Sequence, residues 1–337
     1  MNGYLVKAFG TDPFSNLAME EYLFNCVENA EKIILYLWQN EDTVVIGRNQ
    51  NAYTECNADY VIAKGIHVVR RITGGGAVFH DLGNLNYSLI LPKYLYKPCC
   101  AEKMLLAALN GLGITAAASG RNDICLGKEK ISGNAYYLGC NAALCHGTLL
   151  YKVDKEKVEK SLNVSNGKLV GKGITSVKSR VSDIASHYPA ITMIDLIKAI
   201  KKEVAAEYDL RRFHRLSISE KDFAELREKY ASHEWNWEKV KDYSLSLEKS
   251  FDWGVVRVSL FYAGDSSKDV EISSDALDAD FIDEIRNYLR RMPSVSDYSA
   301  IALFFKEYAD KHLNRQKQID DLDSIFAELF NREDRLS

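Results

Sequence analysis

Short apolar runs separated by polar turns fill residues 30–150, and longer amphipathic stretches flank them. Asp12-Pro13 opens the first of these stretches. A side-chain acceptor at the N-cap and a proline in the first turn predict a helix running to about Cys26. Ile33–Trp38 and Thr43–Ile46 read as strands, and the polar Gln39-Asn40-Glu41-Asp42 between them predicts a hairpin. Asn57–Lys64 reads as a short helix closed by Gly65. Strands follow at Ile66–Ile72, Ala77–Phe79 and Leu85–Leu91, then a helix over 99–110. Arg121–Leu126, Lys130–Tyr137 and Ala142–Lys152 are further strands, and helices are expected at 154–162, 192–207 and 219–231.

The polar stretch Glu238–Ser250 is expected to be a linker, dividing a first domain (1–245) from a second (251–337). Beyond it, Val255–Tyr262 and Asp269–Ile272 read as strands and 278–291, 298–313 and 318–331 as helices. The last two share an apolar face through Phe304, Ile319, Leu322, Phe326 and Leu329. Strands grouped without regular strand–helix alternation predict an α+β protein rather than a doubly wound sheet.

Composition changes this picture little. At 47% hydrophobic and 27% charged residues the chain has ordinary globular proportions. No apolar run approaches the ~20 residues of a membrane span, and Met1–Lys7 carries no secretory pattern. The seven cysteines include adjacent Cys99-Cys100 and no Cys-x-x-Cys pair, which argues against a disulfide framework or structural zinc and for a reducing, cytoplasmic setting. Charge is uneven. Residues 251–337 hold 11 Lys+Arg against 18 Asp+Glu, a net of −7, so residues 1–250 carry +3 of the total −4. Eight cations fall between Lys152 and Arg180, suiting either a solvated face or an anionic partner.

Candidate chemistry concentrates in three stretches. Arg70-Arg71-Ile72-Thr73-Gly74-Gly75-Gly76-Ala77-Val78-Phe79-His80 sets two cations before a triple-glycine turn. Glycine backbone can approach an anion closely, so this is either a flexible hairpin or a phosphate cradle. With no P-loop, no Gly-x-Gly-x-x-Gly and no Gly-x-Ser-x-Gly in the chain, it is the one plausible cradle. Lys130-Ile131-Ser132-Gly133-Asn134-Ala135 puts a lysine on a strand beside small residues. Simple alternation sends Lys130, Ser132 and Asn134 to one face and Ile131, Gly133 and Ala135 to the other, unless a bulge intervenes. Cys145-His146-Gly147 offers an imidazole that could act as acid/base, orient a phosphate or simply sit in a core; alternation keeps Cys145 off its face. Asp123 is a carboxylate placed to share a divalent cation with nucleotide phosphates.

Together these segments resemble the lipoate–protein ligase A family. Asp12–Glu21, Gly47-Arg48-Asn49-Gln50-Asn51, Arg70–Asn84, Gly120–Asp123, Lys130–Ala135, His146–Leu150 and Lys172–Val181 occur in family order. The resemblance implies a catalytic domain of biotin protein ligase-like fold with a mixed β-sheet, plus a small α+β C-terminal accessory domain. It implies that lipoate is activated with ATP and Mg²⁺ to lipoyl-AMP and then transferred to a lysine of a lipoyl domain. The acceptors implied are 2-oxoacid dehydrogenase acyltransferase subunits and the glycine cleavage H protein, with no nucleic acid or membrane partner and a monomeric enzyme. By the same token Lys130 would be the essential lysine, and Arg71, Gly76, Ala77, Val78 and Phe79 would join it at ATP. Leu17, Trp38, Arg70, Thr73, Gly75, His80, Ser132, Gly133, Ala135 and His146 would surround the lipoyl moiety, and Asp123 would meet Mg²⁺. Thr73 stands where serine is usual, and Cys145 where a second histidine is common. The rivals are an octanoyltransferase of the same fold working through a thioester on Cys125, Cys140 or Cys145, and an idle lipoate-binding member.

Overall fold

Residues Pro13–Glu28 form the first helix as the N-cap signal predicts: the Asp12 carboxylate accepts from the Ser15 amide at 3.1 Å. The computed structural model describes residues 2–120, 122–163, 181–237, 245–263, 267–292 and 298–333. In chain order its strands are β1 (Asn2–Lys7), β2 (Lys32–Trp38), β3 (Thr43–Ile46), β4 (His67–Arg70), β5 (Val78–His80), β6 (Asn84–Pro92) and β7 (Ala117–Ser119). They continue as β8 (Asp123–Leu126), β9 (Glu129–Leu138), β10 (Ala142–Leu150), β11 (Phe213–His214), β12 (Leu245–Ser250), β13 (Val255–Ala263) and β14 (Ser267–Ser274). The helices of twelve residues or more are α1 (Pro13–Glu28), α2 (Cys100–Gly111), α3 (Met193–Glu207), α4 (Glu220–Ala231), α5 (Ala279–Arg291), α6 (Ser299–Lys311) and α7 (Gln316–Glu333).

The main sheet runs β11-β1-β2-β6-β10-β9-β8-β7. It is mixed: β1 pairs β2 in parallel, whereas β2–β6, β6–β10 and β10–β9 are antiparallel. The α+β class is therefore observed, with β-α-β crossovers, β1-α1-β2 in the main sheet and β3 to β4 through the short helices Ala52–Glu55 and Ala58–Ala63, that the grouping of strands did not suggest. The hairpin expected between β2 and β3 does not form. β2 lies mid-sheet between β1 and β6, and β3 leaves to centre a three-stranded sheet, parallel to β4 and antiparallel to β5. That small sheet closes its own core of Val44, Ile46, Val68 and Phe79.

Alternation along the main sheet divides two cores. Leu35, Leu89 and Leu149 pack under α2 and α3 with Leu105, Leu109, Ile200 and Val204. Ile34, Tyr36, Ile90 and Leu144 face α1 and α4 through Leu17, Leu23 and Tyr230. Each fully buried aliphatic side chain contributes ~1.5–3 kcal/mol. β10 thus shows Cys145 to the α2 side and His146 to the α1 side.

The C-terminal unit is the antiparallel sheet β12-β13-β14 covered by α5, α6 and α7 around Val258, Ile272, Phe281 and Phe326. Leu245–Ser250, expected to be linker, is strand β12: its Leu247 pairs with Val258 and is buried, so alternation was present beneath a polar composition. The unit docks on the Gly47–Asn51 loop. Asn49 Nδ2 donates to Ala279 O at 2.7 Å, Arg286 donates to Asn49 Oδ1 at 2.7 Å, and Arg48 pairs with Asp283 at 2.6 Å.

Candidate active site

A cavity of about 550 Å³ opens between the α1 face of the main sheet, the glycine loop and the C-terminal unit. One row of residues forms its floor across five strands. Trp38 on β2 is opposite Asn86 on β6, and Asn86 opposite Thr148 on β10. Thr148 Oγ1 accepts from the Gly133 amide of β9 at 3.2 Å, and Gly133 is opposite Asp123 on β8. All five line the cavity.

Lys130 reaches this row through a bulge. The β8–β9 register pairs Ile124 with Ser132 but Cys125 with Lys130, leaving Ile131 as the extra residue. Parity beyond the bulge is inverted, so Lys130 joins Gly133 and Ala135 in lining the cavity. Its Nζ lies 2.7 Å from where a Gly133 Cβ would sit, and 2.7 Å from Asp123 Oδ1. Ser132 falls on the opposite face, fully buried, and is not at the cavity. The simple alternation reading, which grouped Lys130 with Ser132, is corrected on this point.

The glycine loop is organised by Arg71. Its buried guanidinium donates to the carbonyls of Gly74 (2.7 Å), Gly76 (2.9 Å) and Val45 (3.2 Å), and to Thr73 Oγ1 (2.9 Å). Burial lowers its pKa to about 10, which leaves it a cation at neutral pH. Gly75 has φ +91°, a conformation that requires glycine, and its amide donates to Ala276 O of the C-terminal unit at 3.0 Å. Arg71, Gly75, Gly76, Ala77, Val78 and Phe79 all line the cavity.

Arg70 does not. Its guanidinium donates to the carbonyls of Trp235 (2.9 Å), Gly47 (3.2 Å), Arg48 (2.9 Å), Gln50 (2.5 Å) and Asn236 (3.4 Å). A cation so enclosed by acceptors is a staple between β4, the Gly47–Asn51 loop and the Trp235-Asn236 turn. The expectation that it meets the acyl-adenylate is corrected.

A buried polar chain backs the other end of the cavity. His146 Nδ1 is 2.8 Å from Glu20 Oε1, and its Nε2 is 2.9 Å from Thr73 Oγ1. Arg71 Nε–H also donates to that hydroxyl, and the Glu20 carboxylate is the acceptor for the His146 Nδ1–H. The same Glu20 oxygen accepts from Ser88 Oγ at 2.5 Å, and Ser88 from Trp38 Nε1 at 2.9 Å. Thr73 is thus behind the cavity wall, holding His146, while His146, Trp38 and Leu17 line it. His80 lines it too. Asn40 Nδ2 donates to His80 Nδ1 at 3.2 Å, and His80 Nε2–H has no partner among the described residues. Burial, then the Arg71 charge, pushes the His80 pKa down to about 3. It is a neutral donor.

The sequence reading missed several contributors. Glu20 sits at a buried helical phase with Pro13, Leu17, Phe24 and Val27, a spacing that could have flagged it. Asn86 and Thr148 look unremarkable until the register aligns them. Asp275, Leu277 and Phe251 line the cavity from the C-terminal unit, and no local signal announces them. Conversely, Cys125 and Cys145 are buried and Cys140 is exposed, and none lines the cavity, so no thiol is placed for an acyl-thioester there. Arg121 and residues 164–180, with Lys168, Lys172, Lys178 and Arg180, lie outside the described residues. Of the nearby cations, Lys155 pairs with Asp183, Lys157 with Asp42 and Lys160 with Glu156.

The sequence model of the lipoyl protein ligase A/B catalytic domain matches residues 12–205. A lipoate-protein ligase A of Psychrobacter cryohalolentis is 35% identical over 328 residues, covering 94% of this chain and 96% of that protein. The crystal structure of P. falciparum LipL1 in complex with lipoate aligns with a TM-score of 0.80 at 25% identity, over 96% of this chain and 98% of that one. A lipoate-protein ligase A bound with ATP aligns at 0.60 and 26% identity, over 70% of this chain and 98% of that one. Most of its length is shared with such ligases, and the matched segment carries the bulged lysine strand and the glycine loop: the chain belongs to the lipoyl protein ligase A/B family.

Proposed function

We propose that this cavity joins lipoate to ATP and passes the lipoyl group to a protein lysine. The observation that carries the reading is the convergence of Lys130, raised onto the floor by the β9 bulge, with the Arg71-organised glycine loop in one cavity. A carboxylate oxygen of lipoate attacks the α-phosphorus of ATP, the bond to the β-phosphate breaks, and pyrophosphate leaves. Charge builds on the α-phosphate oxygens and the acyl carbonyl, where a cation acts without solvent reorganisation. Lys130 supplies it, exchanging Asp123 for the phosphate. Arg71 and Gly76–Phe79 hold the nucleotide, and the acyl chain runs along the floor past Gly133 and Ala135 toward Leu17, Trp38, His80 and His146.

In the second step the ε-amine of the acceptor attacks the acyl carbonyl, the mixed anhydride opens and AMP leaves. The anhydride is already activated, so this step needs orientation more than an enzyme nucleophile. We assign the acceptor lysine to a lipoyl domain, such as those of 2-oxoacid dehydrogenase acyltransferases or the glycine cleavage H protein. Mg²⁺ would enter with ATP. Asp123 offers it one carboxylate, and among the described residues no cluster of three His, Cys, Asp or Glu forms a cage, which fits a cation held mainly by phosphate oxygens. The reaction is placed in the cytoplasm and in a monomer, with the accessory unit beginning by Leu245.

Lipoate-dependent exchange of pyrophosphate into ATP tests the reading. Wild type should exchange, and Lys130→Ala should lose about 10²–10³-fold. No exchange by wild type would defeat the ligase reading, and undiminished exchange by the variant would defeat the role of Lys130.

A further inference from the structure

The far face of β10 holds a feature that ligation does not use. Cys145, one residue before His146, points away from the cavity toward the first turn of α2, where its Sγ lies 3.6 Å from Cys100 Sγ. Cys145 is buried and Cys100 half-buried. Cys100 is the first residue of a twelve-residue helix, preceded by exposed Cys99 in the left-handed region at φ +60°. The free amides of a helix N-terminus favour a thiolate at that position. We propose that Cys100 and Cys145 form a peroxide-reactive dithiol site, with Cys100 as the attacking thiolate and Cys145 as the resolving thiol.

The two sulfurs divide these roles by their surroundings. Either sulfur can donate in this contact; with Cys145 as the donor, the hydrogen bond lowers the Cys100 pKa against its partial burial, with backbone N–H groups of the helix start adding to the effect. The same contact, with burial, drives the Cys145 pKa up. Glu102, the neighbouring Cys99 and the phenols of Tyr87, Tyr96, Tyr136 and Tyr208 are the other titratable groups interacting with the pair, and none of them is a cation. Cys100 sulfur attacks one oxygen of the peroxide, the O–O bond breaks, and the second oxygen leaves as hydroxide or alkoxide to take up a proton. The product is a sulfenic acid on Cys100. Cys145 then loses its proton, its sulfur attacks the Cys100 sulfur and hydroxide leaves, giving a disulfide and water. Two thiols are oxidised and one peroxide reduced. Closing the sulfurs from 3.6 Å to the ~2.05 Å of a disulfide is a shift of about 1.5 Å between two elements already in contact. The bridge would fasten the strand carrying His146 to α2 from behind.

The test uses the full-length reduced chain and hydrogen peroxide, followed by alkylation, digestion and mass spectrometry. The expected product is a peptide pair joined through Cys100 and Cys145, with five of the seven thiols still alkylatable. Cys145→Ser should stop the reaction at a dimedone-reactive Cys100 sulfenic acid. Wild type alone gives a second measure: iodoacetamide should modify Cys100 at lower pH than exposed Cys99. Peroxide entering first at Cys99 or Cys140, or leaving Cys100 and Cys145 both alkylatable, would overturn the proposal. None of these readouts depends on ATP or lipoate.

Discussion

Replacing Gly133 by alanine tests how the bulged strand positions its lysine. The new methyl carbon would lie 2.7 Å from Lys130 Nζ and 2.9 Å from Cε, well inside ordinary contact, and 4.0 Å from Asp123 Oδ1. The backbone need not yield, because both crowded atoms end a flexible side chain. The ammonium must instead retreat by roughly 1 Å, out of the geometry in which the glycine lets it rest on the floor. A misplacement of this size costs about 10²-fold in rate, or about 2.7 kcal/mol of activation free energy. Stability should change by less than about 1 kcal/mol, since alanine also removes the entropic penalty of glycine in a strand. The assay is initial-rate pyrophosphate exchange with lipoate, beside thermal unfolding. Gly10→Ala, with nothing within 4 Å of the added carbon, serves as control. Exchange within threefold of wild type in a folded Gly133→Ala protein would refute the argument that Gly133 sets the position of Lys130.

Other perturbations isolate other parts of the site. Glu20→Ala leaves the Ser88 hydroxyl and His146 Nδ1–H without their buried acceptor and should cost about 2–3 kcal/mol in urea unfolding; a loss below about 0.5 kcal/mol would mean the chain is not stabilising. Gly74→Ala puts a carbon 2.1 Å from Ala276 O and 2.7 Å from Leu277 O, backbone atoms that cannot swing aside, so the C-terminal unit should undock and the Gly75 amide lose its hydrogen-exchange protection. Unchanged exchange at Gly75 would contradict this. His80 is held neutral in the fold, with its pKa pushed to about 3, so the unfolded chain takes up a proton first as pH falls. Its contribution to stability is complete well above pH 6.5 and is lost toward pH 3, by ~1.6 kcal/mol between pH 6.5 and 5. Urea unfolding of wild type and His80→Asn at both pH values should show that slope in wild type alone.

What the chain reveals on reading depends on the range of the interaction responsible. Helix α1 is written locally in Asp12-Pro13, and the apolar phases of α2, α3 and α7 need no partner to be seen. Pairing is different. β3 leaves β2 because β4 and β5, more than 20 residues further along the chain, complete its small sheet, and nothing within Gln39–Asp42 says so. The bulge at Ile131 is invisible to a two-residue rhythm, yet it decides which face Lys130 serves. Arg70 and Arg71 are adjacent cations with equal promise in sequence. Only the convergence of five carbonyls on Arg70 separates the staple from the site residue. Asp275 and Leu277 come from the opposite end of the chain and become part of the cavity only through the Asn49 and Gly75 contacts.

The floor row from Asp123 through Gly133, Thr148 and Asn86 to Trp38 runs along the hydrogen-bonding direction of the sheet, across strands rather than down one. Its length is therefore counted in interstrand steps of ~4.8 Å, about 19 Å over four gaps. Sliding any single strand cannot stretch it, because the step is set by backbone hydrogen bonds that every strand shares. The well can be shortened, one step at a time, by enlarging the side chain that stands on a given strand. The sheet is a ruler whose graduations are fixed, and Trp38 and Asn86 stand at the last two of them along the cavity floor.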